Sequence, residues 1–166
     1  MMNLYKSVLI VTLLIITIFM RPLHAQDVQE GPVSLEEALK RAPQEDKKIL
    51  LDVYASWCPY CQRMHSDVYT DNAVKEAISD YYLWVQINVE SDEIVNYQGN
   101  EMTESEFARA LDNKNIPTTY FMNDEGAIIG VQPGYLDADV FSNLLNFVGS
   151  DAFLSQSFDE YVNGSE

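Results

Sequence analysis

The chain has 166 residues, 47% of them apolar, which suits one domain with a core of its own. Ten basic residues against 26 acidic ones give a formal net charge of −16, which argues against nucleic acid and anionic membrane surfaces as partners. The acidity reads as solubility, and two cysteines are too few for a disulfide-stapled scaffold.

The first 25 residues read as a signal peptide. Lys6 supplies a positive charge, Val8 to Met20 is an apolar run too short to span a bilayer comfortably, and Ala25 offers a cleavage point before Gln26. An uncleaved N-terminal anchor is the alternative. No Cys follows the run, which argues against a lipoprotein anchor. Losing Lys6 and Arg21 leaves 8 basic and 26 acidic residues, a mature charge near −18. The expected destination is an oxidising, periplasmic compartment, with no membrane insertion after signal removal.

Residues 26–33 read as a flexible N-terminal segment, and 34–166 as one domain. Ser34 and Glu37 suggest a capping box. Leu35, Ala38, Leu39 and Ala42 repeat at helical spacing, with Pro43 as the stop. Ile49 to Ala55 is apolar on both alternating faces and predicts a central strand. Helical spacing resumes at Cys61, Met64, His65 and Val68. Asp71 or Asn72 can cap a further helix carrying Val74, Ala77, Ile78 and Tyr81. Leu83 to Val89 alternates as a second strand, and residues 90–102 read as a polar loop. Thr103 and Glu106 form a second capping box before Phe107, Ala108 and Leu111. Thr118–Met122 and Ala127–Val131 flank the turn 123–126 as a hairpin. Asp137 can cap a helix with Phe141, Leu144, Leu145 and Val148, stopped by Gly149. A short amphipathic segment follows with Phe153, Leu154, Phe158 and Tyr161. The order implies an α/β fold, a central mixed β-sheet with helices on both faces.

Cys58 and Cys61 form a Cys-x-x-Cys pair between a strand and a helix, which is a redox arrangement. A disulfide there closes so small a loop that it removes little entropy from the unfolded chain, so a staple is a poor reading. At a helix start, unpaired backbone N–H groups favour the thiolate of Cys58 as nucleophile. Cys61, one turn in and more enclosed, can then attack the mixed disulfide. Pro59 places its nitrogen where no helical donor is needed. Asp52 interrupts an apolar strand and can accept the proton of Cys61. Pro117 opens a strand, and a cis Ile116–Pro117 bond would present backbone to an extended peptide. Zinc would lack ligands once His24 leaves with the signal. Copper delivery by Cys58, Cys61 and His65, or a non-catalytic adapter, are the rival readings. Otherwise His65 reads as a surface residue of the helix.

Taken together, "DVYASWCPYCQRM", "IPTTYF" and the later Gly134 resemble the thioredoxin family. Within it, the chain is similar to exported bacterial thioredoxin-like proteins of the SoxW kind and to the C-terminal domains of thiol:disulfide interchange proteins. The likeness covers roughly Ser34 to Val162. It implies a thioredoxin fold and thiol:disulfide oxidoreductase activity, with Cys58 as nucleophile, Cys61 as resolving thiol and Asp52 as the buried acid. It also implies a substrate-facing surface of Trp57, Pro59, Tyr60, Ile116 and the cis-proline Pro117. No cofactor, glutathione included, and no metal are implied. The expected partners are protein thiols and disulfides and a membrane electron donor, and the expected state is a monomer. Two departures stand out. Many thioredoxins carry a Lys near the buried acid, on the strand that here holds Gln86. Pro59-Tyr60 replaces the usual Gly-Pro. Both leave the direction of the reaction open, with reduction as the first reading and an oxidase or isomerase as the alternative.

Overall fold

The computed structural model describes residues 31–164; the expected signal peptide lies outside them, as do residues 26–30 of the flexible segment. In chain order the elements are α1 (Leu35–Glu45), β1 (Lys48–Tyr54) and α2 (Pro59–Arg63), which runs on as a π-helical turn (Met64–Val68). Then come α3 (Asn72–Tyr81), β2 (Tyr82–Asn88), β3 (Ile94–Tyr97), β4 (Asn100–Thr103) and α4 (Glu104–Ala110). The chain closes with β5 (Thr118–Met122), β6 (Ile128–Pro133), α5 (Ala138–Gly149), a 3₁₀ turn (Ala152–Leu154) and α6 (Phe158–Asn163). Among the described residues no helix is long and apolar enough to cross a membrane.

The main sheet runs β2-β1-β5-β6, with β1 parallel to β2 and β5 antiparallel to both β1 and β6. This is the expected mixed sheet. Alternation along β1 sends Ile49, Leu51 and Val53 into a core with Leu35, Ala38 and Phe107 of α1 and α4. Leu50 faces the other way, into a core with Met64, Val68, Val74, Phe141 and Leu145. Asp52 shares that second face and is 0% exposed. The doubly covered central strand explains why β1 reads as an unbroken apolar run.

Four local expectations need correcting. Pro43 does not stop the first helix, which runs on to Glu45 and ends where Asp46 turns left-handed at φ 54°. One proline in a final turn removes a single N–H, and Arg41 ties that turn down by hydrogen-bonding both Glu37 and Glu45. Residues 90–102 are not all loop, because β3 and β4 pair as an antiparallel hairpin. Its turn puts Gln98 and Gly99 at φ 53° and 79°, the doubly left-handed geometry of tight hairpins, and Gln is an uncommon residue to mark it. Gly149 is not a cap. It is the last residue of α5 and packs on Tyr81, whose Cγ would lie 2.5 Å from any added Cβ. Asp151 makes the left-handed exit at φ 61°. The β6 strand also sits later than expected, reaching Pro133.

The terminal segment is apolar for a reason: Phe147 of α5 meets the rings of Phe158 and Tyr161 at 5.4 and 5.3 Å. At the other end, Val33 joins the sheet edge, its N–H donating to the Trp84 carbonyl at 2.8 Å.

Candidate functional site

β1 ends at Tyr54, and Cys58 follows as the N-cap of α2 with Pro59 at its first turn. The cap is made by sulfur: Cys58 Sγ accepts the Cys61 backbone N–H at 3.2 Å. Gln62 Nε2 donates to the Ser56 carbonyl at 2.7 Å and holds the loop closed. Both cysteines are free thiols, 4% and 1% exposed for Cys58 and Cys61. Cys58 Sγ also lies 3.8 Å from the Ile116 carbonyl oxygen.

The two sulfurs are not equivalent. Burial, then the hydrogen bond with Cys58, pushes the Cys61 thiol up to about 12, with smaller pushes from the charges of Cys58 and Asp52. A backbone hydrogen bond with Ala55 partly offsets the rise. At pH 8 the Cys61 thiolate is then on the order of one part in ten thousand. Iodoacetamide at pH 8 is therefore expected to modify Cys58 at least ~100-fold faster than Cys61. Intact mass and peptide mapping of the reduced protein read this directly, and equal rates would refute it.

The Ile116–Pro117 peptide bond is cis and sits against the cysteines, with Ile116 packed on Ala55, Cys58 and Cys61. The Pro117 carbonyl accepts the Gly134 N–H at 2.8 Å, which ties the start of β5 to the end of β6. Trp57 and Tyr60 flank Cys58 and are 63% and 58% exposed, unusual for side chains of that size. Pro59 is exposed between them and Pro117 is buried. Tyr60 leans on Tyr135, whose ring also carries the Arg63 guanidinium at 4.8 Å. Every residue expected at the site thus lies at one end of the sheet.

Behind the cysteines is Asp52, paired in register with Gln86 on β2 and Thr119 on β5. His65 is not merely a surface residue of the helix. Its Nε2 lies 2.6 Å from Asp52 Oδ2, and its side chain is 30% exposed. Gln86 Nε2 donates to Asp52 Oδ2 at 3.2 Å and lies 3.0 Å from His65 Nε2. Asp52 Oδ1 has no hydrogen-bond partner. The π-helical turn, closed by the Tyr69 N–H on the Met64 carbonyl at 2.8 Å, carries His65 at its second position. The strand position that lacks a Lys holds Gln86, and an imidazole from the helix meets the acid beside it. This also turns Nε2 of His65 toward Asp52 rather than toward a metal shared with the thiols. No motif marks His65 or Gln86. Two signals point to them: His65 follows Cys61 by one helical turn, and Gln86 is the polar position on the strand beside Asp52.

The family model of a thioredoxin-like domain matches residues 35–149 of this chain. The chain belongs to the thioredoxin-like family. It is 30% identical over 113 residues to the thiol:disulfide interchange protein DsbD of Salmonella typhimurium, a match covering 65% of this chain and 18% of that protein. To the DsbD of Actinobacillus pleuropneumoniae it is 26% identical over 109 residues, covering 64% of this chain and 17% of the relative. The matched part is thus under a fifth of the length of those relatives. Among solved structures, a thioredoxin-fold protein from Helicobacter pylori superposes with a TM-score of 0.57 at 24% identity, covering 72% of this chain and 80% of the other. A thioredoxin from Thermus thermophilus gives 0.55 at 22% identity, covering 69% and 83%. These two likenesses concern the fold.

Proposed function

We propose that this thioredoxin-like chain is an exported, monomeric thiol:disulfide oxidoreductase that reduces disulfides of protein substrates in the periplasm. The observation that carries the reading is the asymmetry of the two thiols. Cys58 caps a helix beside exposed aromatics, while Cys61 is held protonated one turn inside.

The cycle uses these residues in order. The Cys58 thiolate attacks a substrate disulfide, forming a Cys58–substrate S–S bond and expelling one substrate thiolate, which takes a proton from solvent. Trp57, Pro59 and Tyr60 face the substrate from one side. Ile116 and Pro117 offer backbone to an extended substrate segment from the other. Cys61 then loses its proton to Asp52 and attacks Cys58 Sγ. The Cys58–Cys61 bond forms, and the second substrate thiolate leaves. The substrate has gained two electrons and the pair has lost two, so a reductant must restore the dithiol. Likeness to thiol:disulfide interchange proteins supports a membrane electron donor in that role. The apolar run before Ala25 supports export, with residues 1–25 as signal, 26–33 as a flexible lead and 34–166 as the working domain.

Direction is tested by the reduction potential of the pair, from equilibration with thiol–disulfide buffers. A reductase is expected near the roughly −270 mV of thioredoxin. A value near the roughly −120 mV of strong periplasmic oxidants would make the protein an oxidase instead.

A further inference from the structure

Resting on the oxidoreductase reading, we propose that His65 is the proton outlet of Asp52, linking the buried acid behind the cysteines to solvent. Asp52 is 0% exposed, so a proton it takes from Cys61 has no direct route to water. His65 bridges that gap, with one ring nitrogen 2.6 Å from Asp52 Oδ2 and a side chain 30% exposed. Among the described residues it is the one basic side chain paired with Asp52. The two carboxylate oxygens have different surroundings. Oδ2 is held by His65 and Gln86, whereas Oδ1 makes no close hydrogen bond, with the Tyr69 phenol a weaker neighbour of the carboxyl, and is the oxygen left to take a new proton. The proton therefore enters on Oδ1, and the Oδ2–imidazole contact passes the change in charge to the ring, which releases a proton outward. Imidazole suits this role because it changes protonation near neutral pH.

The surroundings fix the ring and supply no competing acid near neutrality. Gln86 of β2, which is neutral, touches both partners. Tyr54 of β1 meets the ring edge-on at 5.0 Å, and Tyr69, at the end of the π-helical turn, lies at 5.7 Å. Burial raises both phenols above their ordinary value, with further pushes from Glu104, Asp52 and Glu93 on Tyr54 and from Asp52 on Tyr69. Cys61, one turn earlier on the same helix, also holds its proton.

In the step served, the Cys61 S–H proton moves to Asp52 and the Cys61 sulfur bonds to Cys58 Sγ. The Cys58–substrate bond breaks with its electron pair on the leaving sulfur, and His65 returns one proton to solvent. Single-turnover reaction of the reduced protein with a chromogenic aromatic disulfide separates the stages. The first thiol released reports attack by Cys58, and the second reports attack by Cys61. For His65→Gln, which keeps an amide beside Asp52 and carries no proton, the first release is expected within 2-fold of wild type. The second is expected to slow at least ~10-fold at pH 7 and to lose the rise with pH between about 5 and 8. A second phase with unchanged rate and pH profile, or equal slowing of both phases with the profile kept, overturns the proposal. The wild-type protein supplies a reading free of mutation. The imidazole ¹⁵N resonances of His65 should titrate with the midpoint of the second phase, and a ring of constant protonation across that range overturns it. Failure of the oxidoreductase reading is distinct, because wild-type protein would then form no Cys58–Cys61 disulfide and release no second thiol.

Discussion

Cys61→Ser is expected to turn the protein from a turnover catalyst into a trap. Its Cys58 still attacks disulfides, but nothing one turn away can displace the substrate, so covalent adducts accumulate. Expressed in its host and recovered under acid quench, the variant should carry partners released by dithiothreitol and identifiable by mass. Cys58→Ser should carry none and should lose disulfide reduction by ~10³-fold or more, since the remaining thiol is buried and held protonated, with a value of about 12. The size of the effect follows from the chemistry, because only a thiolate attacks a disulfide sulfur. Trapping by Cys58→Ser instead of Cys61→Ser would reverse the roles of the two sulfurs. The absence of any adduct on Cys61→Ser would remove the exchange mechanism.

Asp52→Asn is expected to slow resolution by roughly 10²-fold, within the usual reach of one general base, without destabilising the protein. The asparagine carbonyl still accepts from Gln86, and the amide is nearly isosteric, so the packing of β1 against β2 and β5 is kept. What disappears is a group able to take a proton from Cys61. It also removes a fully buried carboxyl, whose desolvation the contacts with His65 and Gln86 only partly offset. The denaturation midpoint should therefore hold or rise, the usual pattern where a site is built at the expense of stability. A midpoint lowered by more than about 2 kcal/mol equivalent, with resolution unchanged, would make Asp52 a structural residue.

Legibility differed sharply along the chain. Asp71, Thr103 and Asp137 cap their helices as the sequence suggests, because a capping side chain bonds N–H groups two or three residues on. The same holds for Cys58, whose place between a strand and Pro59 is a matter of local order. The β3–β4 hairpin was not legible, since its strands are short and mixed in polarity and its Gln98-Gly99 turn lacks the usual Asn-Gly or Asp-Gly. Gly149 looked like a helix stop because glycine serves that role often. Its real constraint is the Tyr81 ring, delivered by another helix.

From sequence come the redox pair, the buried acid on an apolar strand and the proline opening β5. Each is a residue type whose chemistry and neighbours along the chain already limit its use. The tertiary structure alone decides what lies across from them. Strand register sets Gln86 beside Asp52, and the π-helical turn brings His65 to the same carboxylate oxygen. Ile116 meets Cys58 across 58 residues of chain. These contacts depend on the packing of distant elements, and no local pattern of residues encodes a distance across a sheet. The unequal thiols are decided in the same way, since burial is the largest cause of the rise at Cys61 and burial belongs to the whole fold.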